Sequence, residues 1–123
     1  QPFHSASHHV GKPEQILDYN RINQYHVSTL THLLDQLKDS MEGDAHLLDK
    51  TMIIYGGTMG DSNIHNHRRC PLIVLGGANG QLEGNVHLKA PDRTPMANAM
   101  LTLMQKLGLK VEDFGDSTGE MAI

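Results

Sequence analysis

Thr51-Met52-Ile53-Ile54-Tyr55-Gly56-Gly57-Thr58-Met59-Gly60 is an apolar run closed by glycines, and Leu72-Ile73-Val74-Leu75-Gly76-Gly77-Ala78-Asn79-Gly80 repeats the pattern 20 residues later. Continuous apolar runs of this length suit short strands covered on both faces. Each ends in Gly-Gly-x-x-Gly, so the pair reads as neighbouring strands of one sheet rather than a solenoid repeat. A parallel arrangement would bring both glycine loops to one sheet edge, where open α/β sheets place their sites. Neither copy matches Gly-x-Gly-x-x-Gly, and no amphipathic helix follows either at once. Both points argue against a dinucleotide cradle, and glycine for tight strand exits is the better explanation.

Upstream, Pro13 suits the first turn of a helix and Glu14 adds negative charge where the helix dipole favours it. Ile16, Leu17, Ile22, Val27, Leu30, Leu33, Leu34, Leu37 and Met41 follow helical spacing, which predicts a long helix over 13–41 stopped by Gly43. His26 and His32 lie six apart within it, off the i,i+4 spacing of two helical ligands, so they read as ordinary helix residues. His46, in the following turn, reads the same way. Downstream, 81–94 reads as loop or a short edge strand. Thr94 is placed to cap a second helix, with Pro95 at its first position and Met96, Met100, Leu103, Met104 and Leu107 on one face. Gly108 ends it, and Phe114 is the expected anchor of the tail. Interleaved helices and strands predict an α/β fold, with 1–123 as one domain. Two strands make a thin sheet, completed either by a strand hidden in 81–94 or by a part beyond this chain.

Composition narrows the function classes. The formal charge is −4 and the ten basic residues are scattered, which argues against nucleic acid or an anionic membrane surface as the partner. No apolar run approaches the ~18–20 residues of a membrane span. Cys70 is the sole cysteine, so an internal disulfide is excluded. Nine histidines stand out, and they point to metal or proton chemistry.

The histidines concentrate in two strings. Asp61-Ser62-Asn63-Ile64-His65-Asn66-His67 lies between the apolar runs, and if it is extended, Asp61, Asn63, His65 and His67 leave the same face. Such oxygen and nitrogen donors suit a divalent metal. The other string is His4-Ser5-Ala6-Ser7-His8-His9, in 1–12, which reads as an irregular loop. Brought together, His4, His8, His9, Asp61, His65 and His67 would share one or two ions, with Asn63 and His87 as secondary candidates. An EF-hand fails because Asn66 and Leu72 stand where Gly and Glu are required. No His-Glu-x-x-His or cysteine pair signals a classical zinc site, and Ser5, Ser7, Thr58, Ser62 and Cys70 lie in no nucleophile elbow.

Phe3-His4-Ser5-Ala6-Ser7-His8-His9, Tyr55-Gly56, the spaced Asp61, Asn63, His65 and His67, Thr94-Pro95 with Asn98, and Phe114-Gly115-Asp116-Ser117-Thr118-Gly119 together resemble the HXXSHH-motif family of bacterial proteins, found in planctomycete-type genomes. The resemblance covers nearly the whole chain. Family members are longer and often carry export signals, so it implies the C-terminal part of an exported protein. A more distant similarity leads to the alkaline phosphatase/sulfatase-like superfamily and its three-layer α/β sandwich. That similarity implies metal-ligand loops at strand ends, with the nucleophile supplied from an N-terminal part. His4 with His8 or His9, and Asp61 with His65 or His67, are then the implied ligands. The expected cofactor is a divalent metal, zinc or manganese, and the expected partner a small-molecule ester or none, the resemblance pointing to phosphoester or sulfoester chemistry. The superfamily's Asp-x-x-x-His loop is replaced here by His4-x-x-x-His8. A non-catalytic metal-binding or assembly module is the competing class, and histidines that merely satisfy hydrogen bonds are the third. Apolar surface left open by a missing part would favour homo-oligomers.

Overall fold

The computed structural model describes residues 2–123, and among these the fold is mixed α/β, with four α-helices and two small two-stranded sheets. In chain order these are α1 (Phe3–Ser7), α2 (Pro13–Asp39), the hairpin β1 (Met41–Glu42) and β2 (Ala45–His46), α3 (Leu47–Lys50), β3 (Ile53–Gly56), β4 (Leu72–Leu75) and α4 (Met96–Lys106). A single 3-10 turn, Ala78–Gly80, follows β4. No helix is long and apolar enough to cross a membrane among the described residues.

Helix α2 begins at the anticipated proline, but it stops at Asp39, two residues before Met41. Ser40 closes it by donating both its backbone N–H and its hydroxyl to the Gln36 carbonyl, at 3.0 and 2.8 Å. Gly43 is therefore not the helix stop. Its φ of +67° places it in the two-residue turn between β1 and β2, where a glycine at the first central position suits a hairpin. Residues 1–12 are not all loop either. A short helix, α1, forms because the Phe3 ring packs on Tyr19 and His26 of α2, with centroids 5.6 and 5.1 Å away. The buried Ser7 hydroxyl closes its end by donating to the His4 carbonyl at 2.7 Å.

Strands β3 and β4 pair directly, and they run antiparallel, with Ile53 opposite Leu75 and Gly56 opposite Leu72. Their glycine loops consequently leave from opposite ends, so the shared-edge arrangement that parallel strands would give does not occur. The strands are not covered on both faces: Ile54 is 45% exposed and Ile73 39%. Cross-strand partners share a face, and Ile73 pairs with Tyr55 while Ile54 pairs with Val74. The two open isoleucines thus lie on opposite faces. No strand forms in 81–94. Gly76 (φ +91°) turns the chain out of β4 so closely over Thr51 that a Cβ there would collide with the Thr51 carbonyl oxygen. The N–H groups of Gly77 and Ala78 then bond the carbonyls of Leu48 and Thr51, stitching this exit to the end of α3.

The buried core is small and gathers on α4. Ala97, Asn98, Ala99, Leu101, Thr102 and Leu103 are buried, and outside this helix burial is reached by Ala6 and Ser7 of α1 and by Ala78. Residues buried in consecutive triplets surround most of the helix, so α4 is central rather than one-faced. The methionine face is half-buried, and Leu107 is 54% exposed. Thr94 is not the N-cap. That position falls to Pro95, and the Thr94 hydroxyl donates instead to the Pro91 carbonyl at 2.9 Å.

The tail is held by polar groups and not by Phe114, which is 45% exposed. The buried Asn98 amide accepts from the Thr118 N–H at 2.8 Å and donates to the Thr118 hydroxyl at 3.2 Å. The Thr102 hydroxyl accepts from the Met121 N–H at 2.8 Å. Replacing Asn98 by Ala removes both bonds and leaves the Thr118 N–H without its acceptor. The expected cost is about 1–3 kcal/mol in denaturant unfolding. Amide exchange should accelerate at Thr118, and unchanged exchange there would contradict the anchoring.

Candidate metal centre

The two histidine strings meet. Beyond α1, Val10 (φ +46°) and Gly11 (φ +72°) reverse the chain before α2, and this reversal presents His8, His9 and the Val10 N–H. The 61–67 string is not extended. The Asp61 carboxylate accepts the Asn63 N–H at 3.0 Å, the Asn66 N–H bonds the Asp61 carbonyl at 2.9 Å, and His65 has φ +53°. Asp and Asn close tight turns in this way by bonding backbone one or two peptides on. Asp61, Asn63, His65 and His67 therefore do not line one face, and the turn separates their roles.

Asn63 and Ser62 face the first string. The Asn63 amide oxygen accepts the Val10 N–H at 2.9 Å, and the Ser62 hydroxyl donates to the Ser7 carbonyl at 3.0 Å. These bonds join residues 53 and 55 positions apart. They bring the His65 ring to 5.0 Å from the His8 ring, centroid to centroid and edge-on at 75°. His8 also meets His4 edge-on at 4.9 Å. His8 is thus the middle member of a run of three imidazoles.

Two imidazoles on one tetrahedral ion, each nitrogen about 2.0–2.1 Å from it, hold their ring centroids about 5 Å apart. Both spacings in the run match that value. Among the described residues, no group of three or more His, Cys, Asp or Glu side chains is arranged to hold a metal ion as it stands. The ring torsion of histidine is broad, so turning rings in place is the adjustment that would converge the nitrogens.

The remaining candidates lie apart from this run. His9 turns toward Tyr19, at 6.3 Å between ring centroids, and its Nδ1 accepts the Gly11 N–H at 3.2 Å. Asp61 lines a depression with Gly60, Asn66, Arg68 and Arg69. His67 lines another, with Thr58, Cys70, Arg93 and Asp116 beside the start of α4. Its Nδ1 donates to the Thr58 carbonyl at 2.7 Å, which leaves Nε2 as the basic nitrogen. The Cys70 thiol donates to the same carbonyl at 3.1 Å and to the His67 carbonyl at 3.3 Å. His87 is exposed in the irregular 81–94 segment. By sequence alone, Ser7 and Ser62 read only as conceivable nucleophiles. Their structural role, tying loop to loop, had a visible signal in the Asp61-Ser62-Asn63 turn triplet.

Compared with family models, curated proteins and solved structures, the chain matches none.

Asn63→Ala tests the junction. The Val10 amide loses its acceptor and should exchange faster, while buried α4 amides such as Leu101 keep their protection. The expected stability loss is about 0.5–1.5 kcal/mol. A Val10 amide that exchanges as slowly in the variant as in the wild type would contradict the bond.

Proposed function

We propose that the chain binds a divalent metal, zinc or manganese, through His4, His8 and His65, and that it contributes these ligand loops to a protein resembling metal-dependent phosphoester and sulfoester hydrolases. The reading is carried by one observation, the placement of His8 within 5.0 Å of both His4 and His65. The HXXSHH-like string and the spaced Asp61, His65 and His67 support it from the sequence side. A metal held there supplies Lewis acidity, lowering the pKa of water and stabilising an anionic ester transition state. The chain's own residues position the ligands: Ser7 and Ser62 fix the two loops, and Asn63 fixes the reversal at Val10. His67, with its Nδ1 committed to a carbonyl, offers Nε2 as a further ligand or proton acceptor. Asp61 and His9 belong to this reading as outer candidates that need a larger rearrangement.

A specific observation favours the non-catalytic variant of this proposal for the chain on its own. The hydroxyls of Ser7 and Ser62 and the thiol of Cys70 all donate to backbone carbonyls. They are used as structural donors, and no nucleophile is assigned among them.

Titration calorimetry with zinc and manganese tests the proposal. The wild-type chain should bind one ion, and His8→Ala should weaken binding by about 100-fold or more, because the central ligand is lost. His65→Ala should weaken it as well, while His87→Ala leaves it unchanged. Equal affinity in wild type and His8→Ala would contradict the site. Turnover of a nitrophenyl phosphate or sulfate by the metal-loaded chain would separate the hydrolase reading from the binding module.

A further inference from the structure

Of the arginines, Arg21 pairs with Asp18 at 2.9 Å, while Arg68, Arg69 and Arg93 have no ion-pair partner among the described residues. Arg93 stands alone in its depression. Arg68 and Arg69 share theirs, a hollow of about 310 Å³ lined with Gly60, Asp61 and Asn66. That volume lies at the small end of the range for ligand sites. The turn between Asp61 and Asn66 builds it, with the Gly60 N–H bonding the Asn66 carbonyl at 2.8 Å. The chain then returns over Gly60 so closely that a Cβ there would collide with the Arg68 carbonyl oxygen. Consecutive residues of an extended chain point to opposite sides. The φ of +54° at Arg69 breaks that alternation, and both arginines line the same hollow.

The hollow is rich in donors and poor in acceptors. Neither guanidinium has an ion-pair partner among the described residues. The Asn66 side chain uses its oxygen to accept the Arg68 N–H at 2.9 Å, which leaves its NH2 group to donate. The remaining side-chain acceptor is the Asp61 carboxylate, one oxygen of which takes the Asn63 N–H at 3.0 Å. It pairs with neither arginine, and two guanidiniums against one carboxylate leave a net positive charge.

Such a set fits a tetrahedral oxyanion that carries both negative charge and a proton. Guanidinium forks bond phosphate and sulfate oxygens alike, and the carboxylate beside them separates the two. A phosphate group, with its second ionisation at about pH 6, keeps an O–H that can donate to a carboxylate. Sulfate has no proton to give, so the carboxylate repels it. We infer that the Gly60–Arg69 hollow binds a singly protonated phosphate group, held by Arg68, Arg69 and the Asn66 amide, with Asp61 accepting its O–H. The inference does not rest on the metal centre, because His4, His8 and His65 do not line this hollow.

Titration calorimetry with inorganic phosphate at about pH 6 is the test. EDTA is present so that no metal contributes, and about 0.15 M sodium chloride screens loose surface pairing. One phosphate should bind per chain, and sulfate at least about 10-fold more weakly. Arg68→Gln, with its far-UV circular dichroism unchanged, should weaken phosphate binding about 10-fold or more through the lost charge-assisted bonds. Asp61→Asn keeps an oxygen for the Asn63 N–H and offers an NH2 to the anion, so sulfate should then bind as well as phosphate. Phenyl phosphate titrated in parallel identifies the source of the group: tighter binding than inorganic phosphate assigns the site to a monoester, weaker binding to the free ion, and both support it. A wild-type chain that binds no phosphate, or binds phosphate and sulfate equally, would overturn the inference. Wild-type affinity in Arg68→Gln would do the same.

Discussion

The hydrogen bond from the Val10 N–H to the Asn63 amide oxygen is the constraint on which the site depends. It spans 53 residues, and with the Ser62–Ser7 bond it fixes two loops that no regular secondary structure joins. Loop closure over such a distance costs chain entropy, which two exposed or half-exposed bonds worth about 1 kcal/mol each do not recover alone. Neighbouring packing must share the task. Phe3 does so by seating α1 on Tyr19 and His26, and the buried Ala6 and Ser7 do so on the other side. The imidazole run is therefore a consequence of α1 being docked, and its geometry is only as rigid as that docking.

The rest of the fold supports the junction with few apolar groups. Only Leu101 and Leu103 are large side chains buried to below 2% exposure among the described residues, and both lie on α4. Polar bonds carry much of what apolar burial does in larger domains: Asn98 and Thr102 hold the tail, and Gly77 and Ala78 bond the end of α3. The β3–β4 ribbon, with isoleucine open on each face, is not a self-sufficient sheet. Its apolar composition is that of a strand pair meant to be covered, which is why the sequence reads as buried strand while the structure leaves it half open.

Legibility follows the range of the forces involved. Helices α2 and α4 were readable because Pro13, Pro95 and the apolar spacing act within a turn or two. The helix end at Asp39 was less so, since Ser40 caps through a local bond while Gly43 carries the stronger stop signal. Strand existence was readable from 51–55 and 72–75, whereas their antiparallel pairing depends on how the 57–71 segment turns back. The extended geometry expected for 61–67 gave way to the Asp61-to-Asn63 turn, a local signal that outweighed the two-residue periodicity. Of the candidate site, His4, His8 and His65 come together. His67 and Asp61 are carried off by the same turn, which no spacing argument anticipates. The anchoring of the tail by Asn98 lay beyond sequence reasoning because a buried amide and a distant Thr118 carry no periodic signature.

The central claim is that His8 and His65 are neighbours in solution, and the most direct test is a nuclear Overhauser spectrum of the chain with its imidazole protons assigned. Cross-peaks between the His8 and His65 rings, together with cross-peaks between His4 and His8, are the expected result. A spectrum in which His65 shows only contacts within its own turn, and none to His8, would contradict the meeting of the two loops.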